Sequence, residues 1–166
     1  MARLKGNRTI ALRSVGLLAV LWFGTVAAFA ADPVIGTWEL DVAKSTYRPG
    51  PPPLSQTRVY EALPKGIKVT VTTIYADGRK NVAEYESDND GRDYPVTGRS
   101  FGDTVSLKKV DDFTAEATIK HADKLIAFVL RDIAPDGKTM TITYSGAMSI
   151  NGVDERANNI AVYNKR

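Results

Sequence analysis

The feature that most restricts this chain is an apolar and polar alternation with a period of two. From Asp32 onward it recurs along the sequence, while no apolar pattern at helical spacing runs longer than about two turns. Phe113, Ala115, Ala117 and Ile119 fall on one side, with Thr114, Glu116, Thr118 and Lys120 opposite; Met140, Ile142 and Tyr144 oppose Thr139, Thr141 and Thr143 in the same way. Successive side chains of a strand point to opposite faces, so this pattern describes antiparallel strands with one dry and one wet face. The alternating runs are separated by Asp77-Gly78, Asp90-Gly91, Asp136-Gly137 and Asn151-Gly152. Both residue types tolerate the positive φ of a tight hairpin.

The pattern predicts ten strands, over 36–42, 55–63, 67–76, 80–87, 92–96, 104–110, 113–121, 125–133, 139–148 and 155–164. Their connections are mostly too short for parallel crossovers, so neighbours are expected to pair antiparallel in an up-and-down meander of about 8–10 strands. A meander of that many twisted strands closes into a barrel to remove its edges. The run 125–130 is apolar on both sides, and the alternation assigns it no inner face. Residues 43–54 form the one long irregular segment, and Pro49-Gly50-Pro51-Pro52-Pro53 within it cannot join a ladder. A connector across one barrel end, a lid over its mouth and a docking strip all fit that position.

Residues 1–30 differ from the rest. They hold Arg3, Lys5, Arg8 and Arg13, no acid, and an apolar run from Val15 to Phe29 that ends in Ala28-Phe29-Ala30. This is the layout of a secretory signal peptide cut before Ala31. A retained signal anchor is the rival reading, the apolar run falling a little short of a bilayer span. Export leaves residues 31–166 as a single domain, expected in the periplasm or outside the cell.

Of the 22 basic residues four belong to the leader, so the remaining bases are fewer than the 19 acids. No electrostatic case for a nucleic-acid partner survives. With no cysteine there is no disulfide, no thiol nucleophile and no lipid-anchoring thiol, and after cleavage no stable membrane anchor is expected.

His121 is the only histidine. It follows the apolar face of 113–119, where an imidazole could be a pocket contact, a base or an axial ligand, yet it also opens the turn His121-Ala122-Asp123-Lys124, where a solvated tip is the ordinary state. Asp88-Asn89-Asp90-Gly91-Arg92-Asp93 has the oxygen donors of a calcium loop but carries Arg99 where the distal glutamate would stand, and it reads as a turn. No metal and no cofactor is called for. Tyrosines supply the remaining signal: by parity Tyr75 joins Ile67, Val69 and Val71, and Tyr144 joins Met140 and Ile142, so both are expected to face a pocket with Phe113, Ile119 and Met140 beside them.

Ile35-Gly36-Thr37-Trp38-Glu39-Leu40 places a Gly-x-Trp element at the head of the first strand. It resembles the opening of the lipocalin and wider calycin group. The resemblance implies a lipocalin-like barrel in which Gly36 permits close approach, Trp38 plugs the floor and a late arginine, here Arg156, packs over the indole. It also implies an exported barrel that binds or carries a small hydrophobic or amphipathic molecule. Two rivals remain: a lipocalin-like isomerase, cyclase or hydrolyase on a lipid or terpenoid, using His121 or a tyrosine, and a filled barrel that docks a partner in the envelope.

Overall fold

The computed structural model describes residues 32–98, 102–150 and 153–166, the side chains of 148–150 and 153–155 excepted. The leader over 1–30 and the Asn151-Gly152 turn lie outside the described residues. Eleven strands follow one another: β1 (Gly36–Leu40), β2 (Ser55–Ala62), β3 (Ile67–Ile74), β4 (Lys80–Ser87), β5 (Asp90–Pro95), β6 (Thr97–Gly98), β7 (Thr104–Lys109), β8 (Thr114–His121), β9 (Lys124–Ile133), β10 (Thr139–Ile150) and β11 (Val153–Lys165). They form one antiparallel sheet in the order β5-β7-β8-β9-β10-β11-β1-β2-β3-β4-β6. The first and last strands are paired, with Trp38 opposite Lys165 and Leu40 opposite Tyr163, and the sheet curls into a nearly closed barrel.

The seam falls between β4 and β5, where consecutive strands were expected to pair. β5 pairs with β7 instead, and only the two residues of β6 reach β4, through Ala83 opposite Gly98 and Glu84 opposite Thr97. The cause is local. Asn89 and Gly91 both take positive φ, and the β5 register slips between Asp90 and Asp93, so the chain turns away from β4. The acids of this turn are engaged: Asp88 pairs with Lys65 of the β2–β3 connection, and Asp90 Oδ1 accepts from the Arg92 backbone N–H at 3.0 Å and from the Tyr94 hydroxyl at 3.1 Å.

The irregular segment runs along a strand as far as Arg48 and does not cross a barrel end there. After one 3-10 turn at Val42–Lys44, capped by Asp41, Thr46 bridges to Ile160 and the Arg48 carbonyl accepts from Asn158 N–H at 2.8 Å. It thus prolongs the line of β1 beside β11 and turns Tyr47 onto the core.

The inner face carries the apolar set. Val34, Trp38, Tyr60, Ile67, Val69, Leu107, Ile133, Met140 and Tyr163 form the main buried cluster. At one end of the barrel the segment before β1 tucks underneath, with Val34 1% exposed. A smaller cluster of Ala127, Tyr144 and Ala157 lies farther along β9, β10 and β11.

Candidate ligand site in the barrel interior

The floor is built around Trp38. Its side chain is fully buried and its Nε1–H donates to the Val34 carbonyl at 2.8 Å, which satisfies the one polar atom of the ring. The cation over the indole is Lys165, with Nζ 5.1 Å from the ring centroid, held there by a 2.8 Å hydrogen bond to the Pro33 carbonyl. Arg156, which the resemblance put in that place, is instead exposed on β11 opposite Ala147, because strand pairing sets Lys165 beside Trp38. Gly36 has φ +130, and a Cβ there would press on Lys165 Cε at 3.1 Å.

Above this floor the inner wall turns polar. Register aligns Trp38 with Arg58, Val71 and Ala83, and Tyr60 with Val69 and Tyr85. Arg58 Nε–H donates to the Tyr163 hydroxyl at 3.1 Å, Tyr163 donates to Gln56 Oε1, and Gln56 Nε2–H donates to Thr73 Oγ1 at 2.7 Å. Gln56, Arg58 and Tyr85 face inward by register and are only half-buried.

From the facing wall, Arg131 of β9 reaches in. Its neighbours in register are Ile142 and Ala115, and its guanidinium lies 5.6 Å from the centre of the Tyr60 ring. It is 6% exposed, and its Nε and Nη1 meet no acceptor among the described residues. Neither Arg58 nor Arg131 forms an ion pair with a carboxylate among those residues. Burial raises the phenols of Tyr163, Tyr85 and Tyr47 above their usual value, so these hydroxyls stay protonated donors at neutral pH.

The residues picked from the sequence are not gathered here. Met140 is fully buried beside Tyr163; Tyr144 and Ile119 belong to the smaller cluster, where the Tyr144 hydroxyl donates to the Ala147 carbonyl at 3.0 Å. Tyr75 is 38% exposed because β3 stops at Ile74 and a turn closed by Tyr75 and Arg79 follows, with Arg79 stacked on its ring. Phe113 is 37% exposed at the opposite rim, where the Asp111 carboxylate ties down the backbone N–H groups of Phe113 and Thr114. His121 sits at the exposed tip of β8, with Nδ1 3.5 Å from Asp103 Oδ2, so its imidazole does not enter the interior.

Arg58, Arg131, Tyr60, Tyr85 and Gln56 were missed. Parity held the signal: Arg131 alternates in phase with Ala127, Val129 and Ile133, and Gln56 and Arg58 alternate in phase with Tyr60. A groove of about 420 Å³ lies elsewhere, between β9, β10 and β11, and Arg156 contributes to its wall.

No protein-family model matches the chain, and no curated protein and no solved structure matches it.

Proposed function

We propose that this is an exported, lipocalin-like carrier that takes one small amphipathic molecule into its barrel. The observation that carries the reading is the polar belt of Gln56, Arg58 and Tyr85 on the inner face, half-open to the interior above an apolar floor. A few oriented polar groups in an apolar wall are the make-up of a small-molecule site, and about eight strands already enclose room for one ligand. The isomerase, cyclase or hydrolyase reading needs His121 or a tyrosine to move a proton; His121 lies on the rim, and the inward tyrosines would have to serve without it. Export to the periplasm or beyond belongs to the same proposal and rests on the leader sequence.

The test is to produce the protein with export, purify it without detergent and compare native with denaturing mass spectra. A stoichiometric adduct lost on denaturation supports the carrier. Bare protein, with no thermal shift against a panel of lipids and terpenoids, overturns it. One observation favours a second reading, in which the outer face docks a partner: Phe128 and Leu130 on β9 and Ile160 on β11, either side of β10, stand 60%, 38% and 47% exposed. Co-purification of an envelope protein that Phe128→Asp abolishes would support that reading.

A further inference from the structure

We propose that the molecule taken up by the barrel is an amphipathic carboxylic acid whose head group is anchored by Arg131, with Arg58 as a second cation across the interior. This rests on the carrier reading above and adds the chemical class of its ligand.

A guanidinium keeps its charge at any pH a protein meets, so burial cannot be relieved by losing a proton. Buried charges in native proteins are paired or hydrogen-bonded, because stripping an ion of water without replacement is costly. Arg131 departs from that rule. It is 94% buried by area, it carries two buried N–H-bearing nitrogens with no acceptor among the described residues, and the face of Tyr60 lies 5.6 Å from its guanidinium. A ring face attracts a cation but accepts none of its in-plane N–H groups.

The surroundings select the partner. Arg58 stands two residues before Tyr60 on the same face of β2, and Arg131 lies over the Tyr60 ring, so the two cations border the same stretch of interior. Every acid in an ion pair with a described base pairs with Lys44, Lys65, Lys68, Arg79, Arg92, Lys109, Lys120, His121 or Arg166, and none with these two arginines. No described residue supplies the missing group, and we assign it to an anion taken into the barrel. Arg58 already donates its Nε–H to Tyr163, whereas Nε and Nη1 of Arg131 both stand without an acceptor among the described residues. A planar two-oxygen monoanion matches a guanidinium fork, and the tyrosine hydroxyls nearby can add donors. Beyond Arg131 on the inner face stand Ala117, Val129, Ala127 and Ala157, so the rest of the molecule is apolar.

The experiment uses dodecanoic acid, dodecanol and dodecyl phosphate as probes, titrated calorimetrically into the ligand-stripped wild-type chain, Arg131→Gln and Arg131→Met, with folding followed by circular dichroism. The acid is expected to bind the wild type at least about tenfold more tightly than the alcohol, and to lose roughly 10- to 100-fold in either variant while the alcohol is unchanged, the loss expected for a charge-assisted hydrogen-bonded pair. Equal binding of acid and alcohol, tighter binding of the phosphate, or undiminished binding of the acid by folded variants would overturn the carboxylate assignment and leave the carrier reading standing. Binding of no probe and no co-purified molecule would remove both. The wild-type comparison of acid with alcohol decides the matter even where a variant fails to fold.

Discussion

Replacing Arg131 with methionine should make the ligand-free protein more stable. Two buried nitrogens of this guanidinium have no acceptor among the described residues. Each such group costs about 1–3 kcal/mol of desolvation, with charged groups at the upper end. Against that stands the contact with Tyr60 at 5.6 Å, worth at most about 2 kcal/mol. Methionine is flexible enough to fill the same path between Ala115, Ile142 and the Tyr60 ring, and its thioether recovers about 0.3–1.5 kcal/mol on the aromatic ring. The balance is a gain of about 1–4 kcal/mol, the range seen when apolar residues replace buried charges. For a domain near this size that raises Tm by roughly 2–4 °C per kcal/mol. Urea unfolding of ligand-stripped protein, followed by Trp38 fluorescence at equal m-value, measures it directly. Saturation with a carboxylic-acid ligand should shrink or reverse the difference, since the wild type is expected to bind it more tightly. A variant destabilised by more than about 1 kcal/mol without ligand would refute the reasoning, because the guanidinium would then be satisfied within the empty protein.

Trp38→Ala removes the largest fully buried side chain and should cost about 3–5 kcal/mol by chemical denaturation, whereas Lys165→Ala should cost no more than about 2 kcal/mol. Gly146→Val should destabilise by about 1–3 kcal/mol or more, since a Cβ there collides with the Ile126 carbonyl and comes within 2.6 Å of Ala127 Cβ; hydrogen exchange should show β9 and β10 loosening first. Burial raises the phenols of Tyr163, Tyr85, Tyr47 and Tyr144 above the ordinary value of 10.0, so their contribution to stability is complete below pH 10 and is lost as the pH climbs past it. An ultraviolet titration should find these tyrosines ionising together with unfolding, and early ionisation in the folded state would contradict their burial. His121→Ala should change stability by less than about 0.5 kcal/mol and leave probe binding intact, because the side chain stands in solvent.

Much of the fold is legible in the sequence because a strand's period of two leaves few alternatives. Ten of the eleven strands coincide with alternating runs; the eleventh, Thr97–Gly98, is too short to have a period at all. The departure from a simple meander at the seam was hidden for the same reason. Asp90-Gly91 looks like any other hairpin pair, and only the positive φ at Asn89 as well, with the slip before Asp93, sends the chain toward β7. The Pro-rich segment was ambiguous because its course depends on distant partners, the backbone of Asn158 and Ile160, to which no local pattern points.

The site was harder to read than the fold, and the reason lies in what alternation means inside a barrel. In a sandwich the inner face is a dry core, so a charged residue in the apolar phase looks like an error of register. In a barrel of eleven strands the inner face borders a space that side chains need not fill, and a polar residue in phase with apolar ones is information about that space. Arg131 in phase with Ala127, Val129 and Ile133, and Gln56 and Arg58 in phase with Tyr60, are two such residues or pairs on facing walls. Tyr75 and Phe113 fail in the opposite sense: their parity is right, but each lies just beyond its strand, where parity no longer fixes direction. The rule that follows is physical. Parity places a side chain only while the ladder holds its backbone, and within that span it is the inward charge, more than the inward aromatic, that marks where the described residues leave a polar group without an acceptor.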